Sequence, residues 1–507
     1  MKRSLATIAA ALVLGVAGVA GAQVEPTSKQ PSAEGPPAQH RLTIEFTTLR
    51  LMRDKGIISQ AEFDSAMHDV ADTTGDRGES VTLVLGKWST TMYGFIEADN
   101  IWDSTASFND SAGNAAVAKG NTYAGQNGRF TMAVRNTRLG FRLRAPEFHR
   151  VRASAMLEMD FLGNQAGIGY TQAFQISEGA YFTNPTFRAR HLNLKLETPI
   201  VDLLFGQYWQ LFGWQSVYHP NTVEIQGVPG QLYSRTPQIR LSKSFKTSPV
   251  TLEIAVAMMR APQRDSWTPE GQGGVRLAIN KWTGVATAGA AGTSIQPLSV
   301  AFTADVRQFN LPPYSSKVTD PTVGKTGWGV AVDAFVPLIS GKKDHKRNSL
   351  SVNGEYAYGY GIADLYTGLS ASALGIANTP TPPAKLPGMA VPFNANADPS
   401  LIIFTGDGQA HLINVQSGLV GVQYYLPVGD GRLWVSGNYS HLSSSSTALY
   451  KAGAAARDSE DWADGNLFFD ATPAVRLGLE YAWFRDNFTD DTFAVNHRVQ
   501  LSAFYIF

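Results

Sequence analysis

The sequence predicts an all-β chain: a transmembrane antiparallel β-barrel of about 16 strands, preceded by a signal peptide and a short periplasmic helical hairpin. Three observations carry this. From Trp88 to Phe507 apolar residues recur at every second position, the period of a strand with one greasy face. Beyond the first 22 residues no apolar stretch is long enough for a membrane-spanning helix, so a membrane role requires strands. The connections between the alternating segments are long and short by turns, which sorts them to opposite ends of a barrel.

The elements follow in order. Lys2 and Arg3, the apolar run Leu5 to Ala20 and the small residues Ala20-Gly21-Ala22 read as a signal peptide over 1–22, cleaved before Gln23. Residues 23–40, with Pro26, Pro31, Pro36 and Pro37 among small polar residues, lack the apolar content to fold and read as a flexible linker. Over 41–72 the spacing becomes helical: Leu42, Phe46 and Leu49 share a face, Gly56 is placed to end that helix, and Ser59 with Glu62 is a capping box opening a second helix through Phe63, Met67 and Val70. The segment 51–63 is similar to helix-Gly-Ile-helix modules that precede several bacterial envelope barrels, phosphate-selective porins among them. A tether or assembly element and an inert spacer are both open readings of it.

The barrel is expected over 86–507, in sixteen segments of which 88–103 is the first and 497–507 the last. Leu139, Phe141 and Leu143 alternate with Arg138, Arg142 and Arg144. Ala153, Ala155, Leu157 and Met159 alternate with Arg152, Ser154, Glu158 and Asp160. Near the other end Val475, Leu477, Leu479, Tyr481 and Trp483 alternate with Arg476, Gly478 and Glu480. The apolar parity is assigned to lipid and the charged parity to a watery lumen. Arg at Leu479 is therefore expected to disturb folding, and Arg at Gly478 to disturb it less and alter conductance. A soluble sandwich alternates too, with its apolar face as core, and a secreted or surface binding sandwich is the rival of a different class. Loop parity favours the barrel, apart from a gap at 282–296 on the short-turn side between segments 273–281 and 297–309; the longest connection is 361–410. Trp88, Trp102, Trp328, Tyr360, Trp483 and Tyr505 fall near segment ends, where interfacial girdles belong.

Charge and composition exclude other classes. The 42 basic and 42 acidic residues balance, so there is no net attraction for nucleic acid, and with no cysteine neither a disulfide framework nor a thiolate metal site exists. No Gly-x-Ser-x-Gly, His-Glu-x-x-His or Walker loop is present, and no cofactor, metal or enzymatic activity is expected. A non-conducting barrel that acts as an envelope tether or enzyme is the remaining alternative.

In a barrel of this kind the work falls to side chains in the lumen. Arg138, Arg142, Arg144, Arg152 and Arg240 lie on the polar parity, which favours anions. Arg188 and Arg190 join them only if a bulge resolves a parity break, because Leu192, Leu194 and Leu196 share their parity. Glu97, Asp99, Glu158, Asp160, Glu355 and Glu480 are the acidic lining, placed to set up a field across the channel. The third long connection, 211–236, is the expected constriction, with Gln215, Tyr218, His219, Glu224, Tyr233 and Arg235 as contacts. The acidic run of Asp458, Glu460, Asp461 and Asp464 is placed in an extracellular loop, and the basic run Lys342 to Arg347 in a periplasmic turn.

The runs YGFIEAD (Tyr93 to Asp99), NTRLGF (Asn136 to Phe141), LEMDF (Leu157 to Phe161), FRARH (Phe187 to His191), FGQYW (Phe205 to Trp209) and TPQIR (Thr236 to Arg240) resemble the DcaP-type porin family, over roughly Tyr93 to Phe507. The chain departs from that family in having only the 41–72 hairpin where a sustained heptad segment would stand. The resemblance implies a passive diffusion channel of the Gram-negative outer membrane: a homotrimer of sixteen-stranded barrels, an inward-folded third loop, and a preference for small organic anions such as dicarboxylates. It also implies contacts with membrane lipids and lipopolysaccharide. The terminal strand, in which Val499, Leu501, Ala503, Tyr505 and Phe507 share one parity, resembles the signal read by the barrel-assembly machinery, with Tyr505 and Phe507 as its aromatic end.

Overall fold

The two-residue alternation of the sequence is realised as strand pairing around a closed ring. The computed structural model describes residues 51–60, 62, 81–85, 87–112, 116–163, 185–224, 228–262, 267–289, 292–315, 319–342, 345–366, 398, 400–405, 408–449 and 457–507. The chain divides into two units, Met1–Thr43 and Ile44–Phe507, and all that follows concerns the second. The signal peptide, the linker and most of the 41–72 hairpin fall outside the described residues. Where that stretch is described, Ser59 N–H donates to Glu62 Oε2 at 2.9 Å and Glu62 N–H to Ser59 Oγ at 3.3 Å, a reciprocal capping box, and Gly56 takes the left-handed φ of 69° that ends a helix.

The strands are β1 (Val81–Leu85), β2 (Trp88–Asp103), β3 (Arg129–Ala133), β4 (Arg138–Arg144), β5 (Arg152–Gly163), β6 (Thr186–Glu197), β7 (Asp202–Trp209), β8 (Arg235–Lys246), β9 (Val250–Met259) and β10 (Glu270–Thr287). They continue with β11 (Thr293–Leu311), β12 (Val323–Ile339), β13 (Leu350–Tyr360), β14 (Ile402–Phe404), β15 (Ala410–Leu412), β16 (Asn414–Tyr425), β17 (Leu433–Ser443), β18 (Arg457–Thr472), β19 (Val475–Phe488) and β20 (Phe493–Ile506). β3 and β4 are two stretches of one strand, since both run along β2. β1 is a short lead-in on the edge of β2, and β14 and β15 form a hairpin within a loop. The others make a sixteen-stranded antiparallel barrel, closed where β2 pairs with β20 from Phe95↔Ile506 to Asp103↔Arg498. Gly94 and Phe507 exchange both backbone hydrogen bonds at the seam, at 2.9 and 3.0 Å. Closure leaves no ladder edge for lipid to strand unpaired.

The sorting of loop lengths holds up to the last connection, 489–492, which is short although it lies at the long-loop end, and the anomaly at 282–296 disappears. β10 runs to Thr287 and β11 starts at Thr293, with a register shift between Ile279 and Thr283, so the turn is only 288–292. The bulge hid both strand ends by breaking the parity of the pattern. A second correction concerns the acidic run. Asp458, Glu460, Asp461 and Asp464 lie on β18, which begins at Arg457, rather than in a loop. Glu460 and Asp464 share the inward face, Glu460 buried and Asp464 half-buried, and Glu460 accepts from Arg457 at 2.9 Å. The basic run stays in a turn, between β12 and β13.

Burial decides between barrel and sandwich. On β19, Arg476, Gly478, Glu480, Ala482, Phe484 and Asp486 are buried while the residues between them are exposed or half-buried. Exposed large apolar residues form the outer surface, among them Ile254, Val256 and Met258 on β9, Val300, Phe302 and Val306 on β11, and Val420 and Val422 on β16. Arg190, Arg307, Arg457 and Arg498 are among the largest fully buried side chains. A water-soluble sandwich would place these two sets the other way round. Trp328, Tyr358 and Tyr360 cluster outward at the long-loop end, with ring centroids 5.7 to 5.9 Å apart, and Trp88 and Tyr505 stand exposed at the short-turn end.

Candidate functional site

The third long loop, 210–234, called L3, leaves β7, folds into the barrel and returns to β8. Its entry is a tight bend in which Gly213 has φ 77°; a Cβ there would stand 2.8 Å from Leu232 and 3.0 Å from Glu355. Side chains of the far wall then hold its backbone. Gln272 on β10 accepts from the N–H groups of Leu211 and Phe212 at 2.8 Å each, and Thr303 on β11 accepts from Gly213 at 2.9 Å. Farther along, Glu480 on β19 accepts from Val223 and Glu224 at 2.9 Å each, and Asn438 on β17 donates to Asn221 O at 2.9 Å. Glu355 on β13 accepts from Leu232 N–H at 2.8 Å. L3 therefore crosses the lumen, with these backbone groups satisfied by inward side chains of other strands.

A second loop fixes the return of L3. The connection 361–413, which carries β14 and β15, contributes Leu365 O as acceptor for Tyr233 N–H at 2.8 Å. Ile362, Leu365, Tyr366 and Ile402 to Phe404 pack with Phe212, Leu232, Phe309 and Leu442 in a dry apolar cluster inside the barrel. At the tip, Arg498 of β20 binds Asp103 through two nitrogens at 2.9 and 3.0 Å and Glu224 at 3.1 Å. Buried ions of this kind hold their positions because each has an opposite charge and further hydrogen bonds.

The wall from β2 to β8 is basic. Arg138, Arg188 and Arg190 converge there on two carboxylates, Glu158 and Asp160, and Arg142, Arg235 and Arg240 stand on the same wall. Arg190 Nε donates to Glu158 at 2.7 Å and its Nη1 to Asp160 at 3.0 Å; Arg188 Nε donates to Asp160 at 2.9 Å; Arg138 Nε lies 3.8 Å from Glu158. Among the described residues no carboxylate lies within ion-pair distance of Arg142, Arg235 or Arg240. Aromatic faces carry them instead. Arg142 sits 4.1 Å above Tyr93, Arg235 4.7 Å from the Trp209 ring and 5.3 Å from Tyr233, and Arg240 5.5 Å from Tyr208. The bulge that Arg188 and Arg190 require is present: Glu158 faces His191 and Met159 faces Ala189, which leaves Arg190 as the extra residue with its side chain buried inward.

Other expected contacts divide by position. Arg144 and Arg152 are exposed at the short-turn rim, Arg152 3.3 Å from Glu197, because their strands end there. The acidic residues do not form an open face across from the arginines. Glu158 and Asp160 sit within the basic wall, and Glu355 and Glu480 anchor L3. Asp99 accepts from Gln500 at 3.1 Å and from Ser502 at 2.5 Å, with buried Glu97 on the same face of β2. Of the loop contacts, Gln215 Oε1 braces L3 internally by accepting from Ser234 N–H, Tyr218 donates to Ser299, and Glu224 holds Arg498. His219 and Tyr233 flank Trp209, at 5.3 and 4.8 Å, beside Arg235.

Sequence reasoning passed over Tyr93, Tyr208 and Trp209, which support the arginines that have no acid partner, and Gln272, Asn438 and Asn466, which hold L3, Asn466 by accepting from Val223 N–H at 2.9 Å. The signal for the first group was available: Tyr93 faces Gly140 across the ladder and stands inward beside Arg142, and Trp209 ends its strand next to L3. The second group carries no local signal, since an inward amide on a distant strand looks like any other polar lining residue.

Electrostatics in L3 follow from the arginines. Burial, reinforced by Arg190 and Arg138, pushes the His219 imidazole down to about 4, so that it is neutral at physiological pH. Burial alone would push the Tyr233 phenol up, but Arg190, Arg235 and Arg138 outweigh it and bring the phenol down to about 7.

A ring of sixteen strands with a third loop across its lumen can be set beside solved structures. Its fold is that of an outer-membrane channel. The channel DcaP of Acinetobacter baumannii superposes with a TM-score of 0.57 over 84% of this chain and 99% of that one, at 18% identity. An anion-selective porin from Comamonas acidovorans covers 83% of this chain and 100% of its own at 10% identity, with a TM-score of 0.44. OmpF of Salmonella typhi, in complex with daunomycin, covers 84% and 100% at 10% identity, with a TM-score of 0.46. No protein-family model and no curated protein matches the sequence. The DcaP likeness shows a shared fold, the one that the sequence resemblance implied.

Proposed function

We propose that this protein is an outer-membrane porin, a passive channel for small polar solutes that prefers small organic anions. One observation carries the preference: six guanidiniums on the β2 to β8 wall face two carboxylates, and three of the six, Arg142, Arg235 and Arg240, rest on aromatic rings instead of acids. Stacking holds a guanidinium in place while leaving N–H groups for a solute, and that planar fork matches a carboxylate; Arg142 and Arg235 offer it most freely, since Arg240 already donates to Gln238 Oε1 and Trp209 O. A solute carboxylate drawn to this wall exchanges part of its water for donors that are already oriented. Trimeric assembly, lipid and lipopolysaccharide contacts, delivery by the barrel-assembly machinery and a periplasmic place for the 41–72 hairpin belong to the same reading and rest on the family resemblance.

Screening over about 8 Å at physiological salt keeps the preference moderate in a hydrated lumen. The test is uptake of succinate and of an uncharged solute of similar size into liposomes bearing the refolded protein. The wild type is expected to favour succinate, and the variant R142Q/R235Q/R240Q to lose that preference while still admitting the uncharged solute. Equal preference in both proteins would overturn the arginine assignment.

A further inference from the structure

On the side of L3 away from the arginine wall lies a cavity of about 150 Å³ between residues Ser216 to Asn221 and the inner faces of β10 to β13, β16 and β17. Thr287, Thr293, Ser351 and Gln423, in its wall, lie near strand ends at the short-turn side, so L3 covers the cavity toward the long loops. Its chemistry differs from that of the basic wall. Hydroxyls of Thr287, Thr293 and Ser351 and amides of Asn221, Gln296 and Asn353 line it, and no Asp, Glu, Lys or Arg does. His219, which also borders it, is the neutral imidazole described above.

Most of these polar groups already have partners. Thr287 and Thr293 share a hydrogen bond of 3.0 Å, and Ser351 donates to Val285 O at 3.1 Å. Two do not: Asn221 Nδ2 and Gln296 Oε1 are buried without a hydrogen-bond partner. One is a donor and the other an acceptor, and both side chains border the cavity. The rings of Tyr218 and Phe335 supply apolar lining, and the Tyr218 hydroxyl is engaged with Ser299 at 2.9 Å. A space with aromatic walls, a few placed polar groups and no charge suits a molecule that carries hydroxyls on a C–H framework.

We propose that this cavity is a binding site for neutral polyhydroxylated solutes of monosaccharide size, separate from the arginine wall and indifferent to anions. The reading goes beyond the anion preference, and it makes L3 a divider between a charged and an uncharged surface.

The experiment is equilibrium dialysis of radiolabelled D-glucose against the refolded full chain in detergent, with succinate as competitor. Saturable glucose binding that excess succinate does not displace is expected. Gln296→Leu keeps the side-chain volume and removes the free acceptor, and should weaken binding on the order of tenfold. Ser216 is exposed on L3 and lines the cavity, so Ser216→Trp fills the space without displacing packed neighbours and should abolish binding. No saturable binding, displacement by succinate, or equal binding by S216W would overturn the proposal. Glucose binding by a barrel that conducts no ions would support this site while removing the channel reading; ion conduction without glucose binding would do the reverse.

Discussion

Arginine placed at Leu479 is the sharpest probe of which face meets lipid. β19 leaves the short-turn end at Val475, and at about 3.4 Å per residue and a tilt of about 40° each residue advances about 2.6 Å along the barrel axis. Leu479 is then about 10 Å in, close to the middle of an apolar band about 25 Å tall. Its cross-strand neighbours are Leu467 and Leu501, with no acid among them. L479R should therefore cost about 2 to 4 kcal/mol, measured as the shift of the guanidinium unfolding midpoint of the refolded protein in lipid at constant slope. The matching change at Gly478 works by another route. A Cβ there would lie 2.9 and 3.2 Å from the two Val223 methyls, so G478R drives the L3 tip off the wall, which is the route by which it would alter conductance. G478R should change conductance and loosen L3 with little of the lipid-exposure penalty. Indistinguishable unfolding midpoints for L479R and the wild type would refute the facing assignment.

Three further outcomes follow from the lumen. Tyr233 gains a negative charge as pH rises through about 7, so anion preference should be stronger at pH 6 than at pH 8.5, and Y233F should flatten that dependence in reversal-potential measurements; a pH response unchanged in Y233F would exclude the phenol. Glu480→Gln weakens the acceptor for Val223 and Glu224 N–H, and single-channel current noise should rise as the L3 tip detaches more often, whereas a trace as quiet as the wild type would show that the anchor is dispensable. Arg307 on β11 is buried and bound to Asp364 at 2.9 Å, with Glu270 at 3.3 Å, so Arg307→Met strands two carboxylates and should cost about 3 to 5 kcal/mol, visible as a lower temperature of barrel unfolding on heated gels. An unchanged transition would mean that the acids find other partners.

Much of this was legible in the sequence because a barrel wall is a local pattern. Leu139 and Arg142 announce their faces by parity alone, and short turns such as the one between Thr472 and Val475 fix the register of their neighbours. Legibility failed where parity breaks. The shift between Ile279 and Thr283 made two long strands look like short ones with a gap, and the start of β18 was hidden because Asp458 to Asp464 read as a solvated acidic loop, although these residues continue a strand whose inward face is polar. The site was legible in part. That L3 enters the lumen came from a resemblance, Arg138, Arg142 and Arg240 came from alternation, and Arg190 needed an assumed bulge. The role of Glu480 and Glu355 as anchors depends on where a loop from the other side of the barrel arrives, and no spacing within either strand records that.

A conducting lumen with a basic wall is tested most directly by single-channel recording of the refolded protein in a planar bilayer under a salt gradient. Stable openings with a reversal potential on the anion side, shrinking as ionic strength rises, are the predicted result. A folded, detergent-stable barrel that never opens, or one that passes cations in preference, would contradict it.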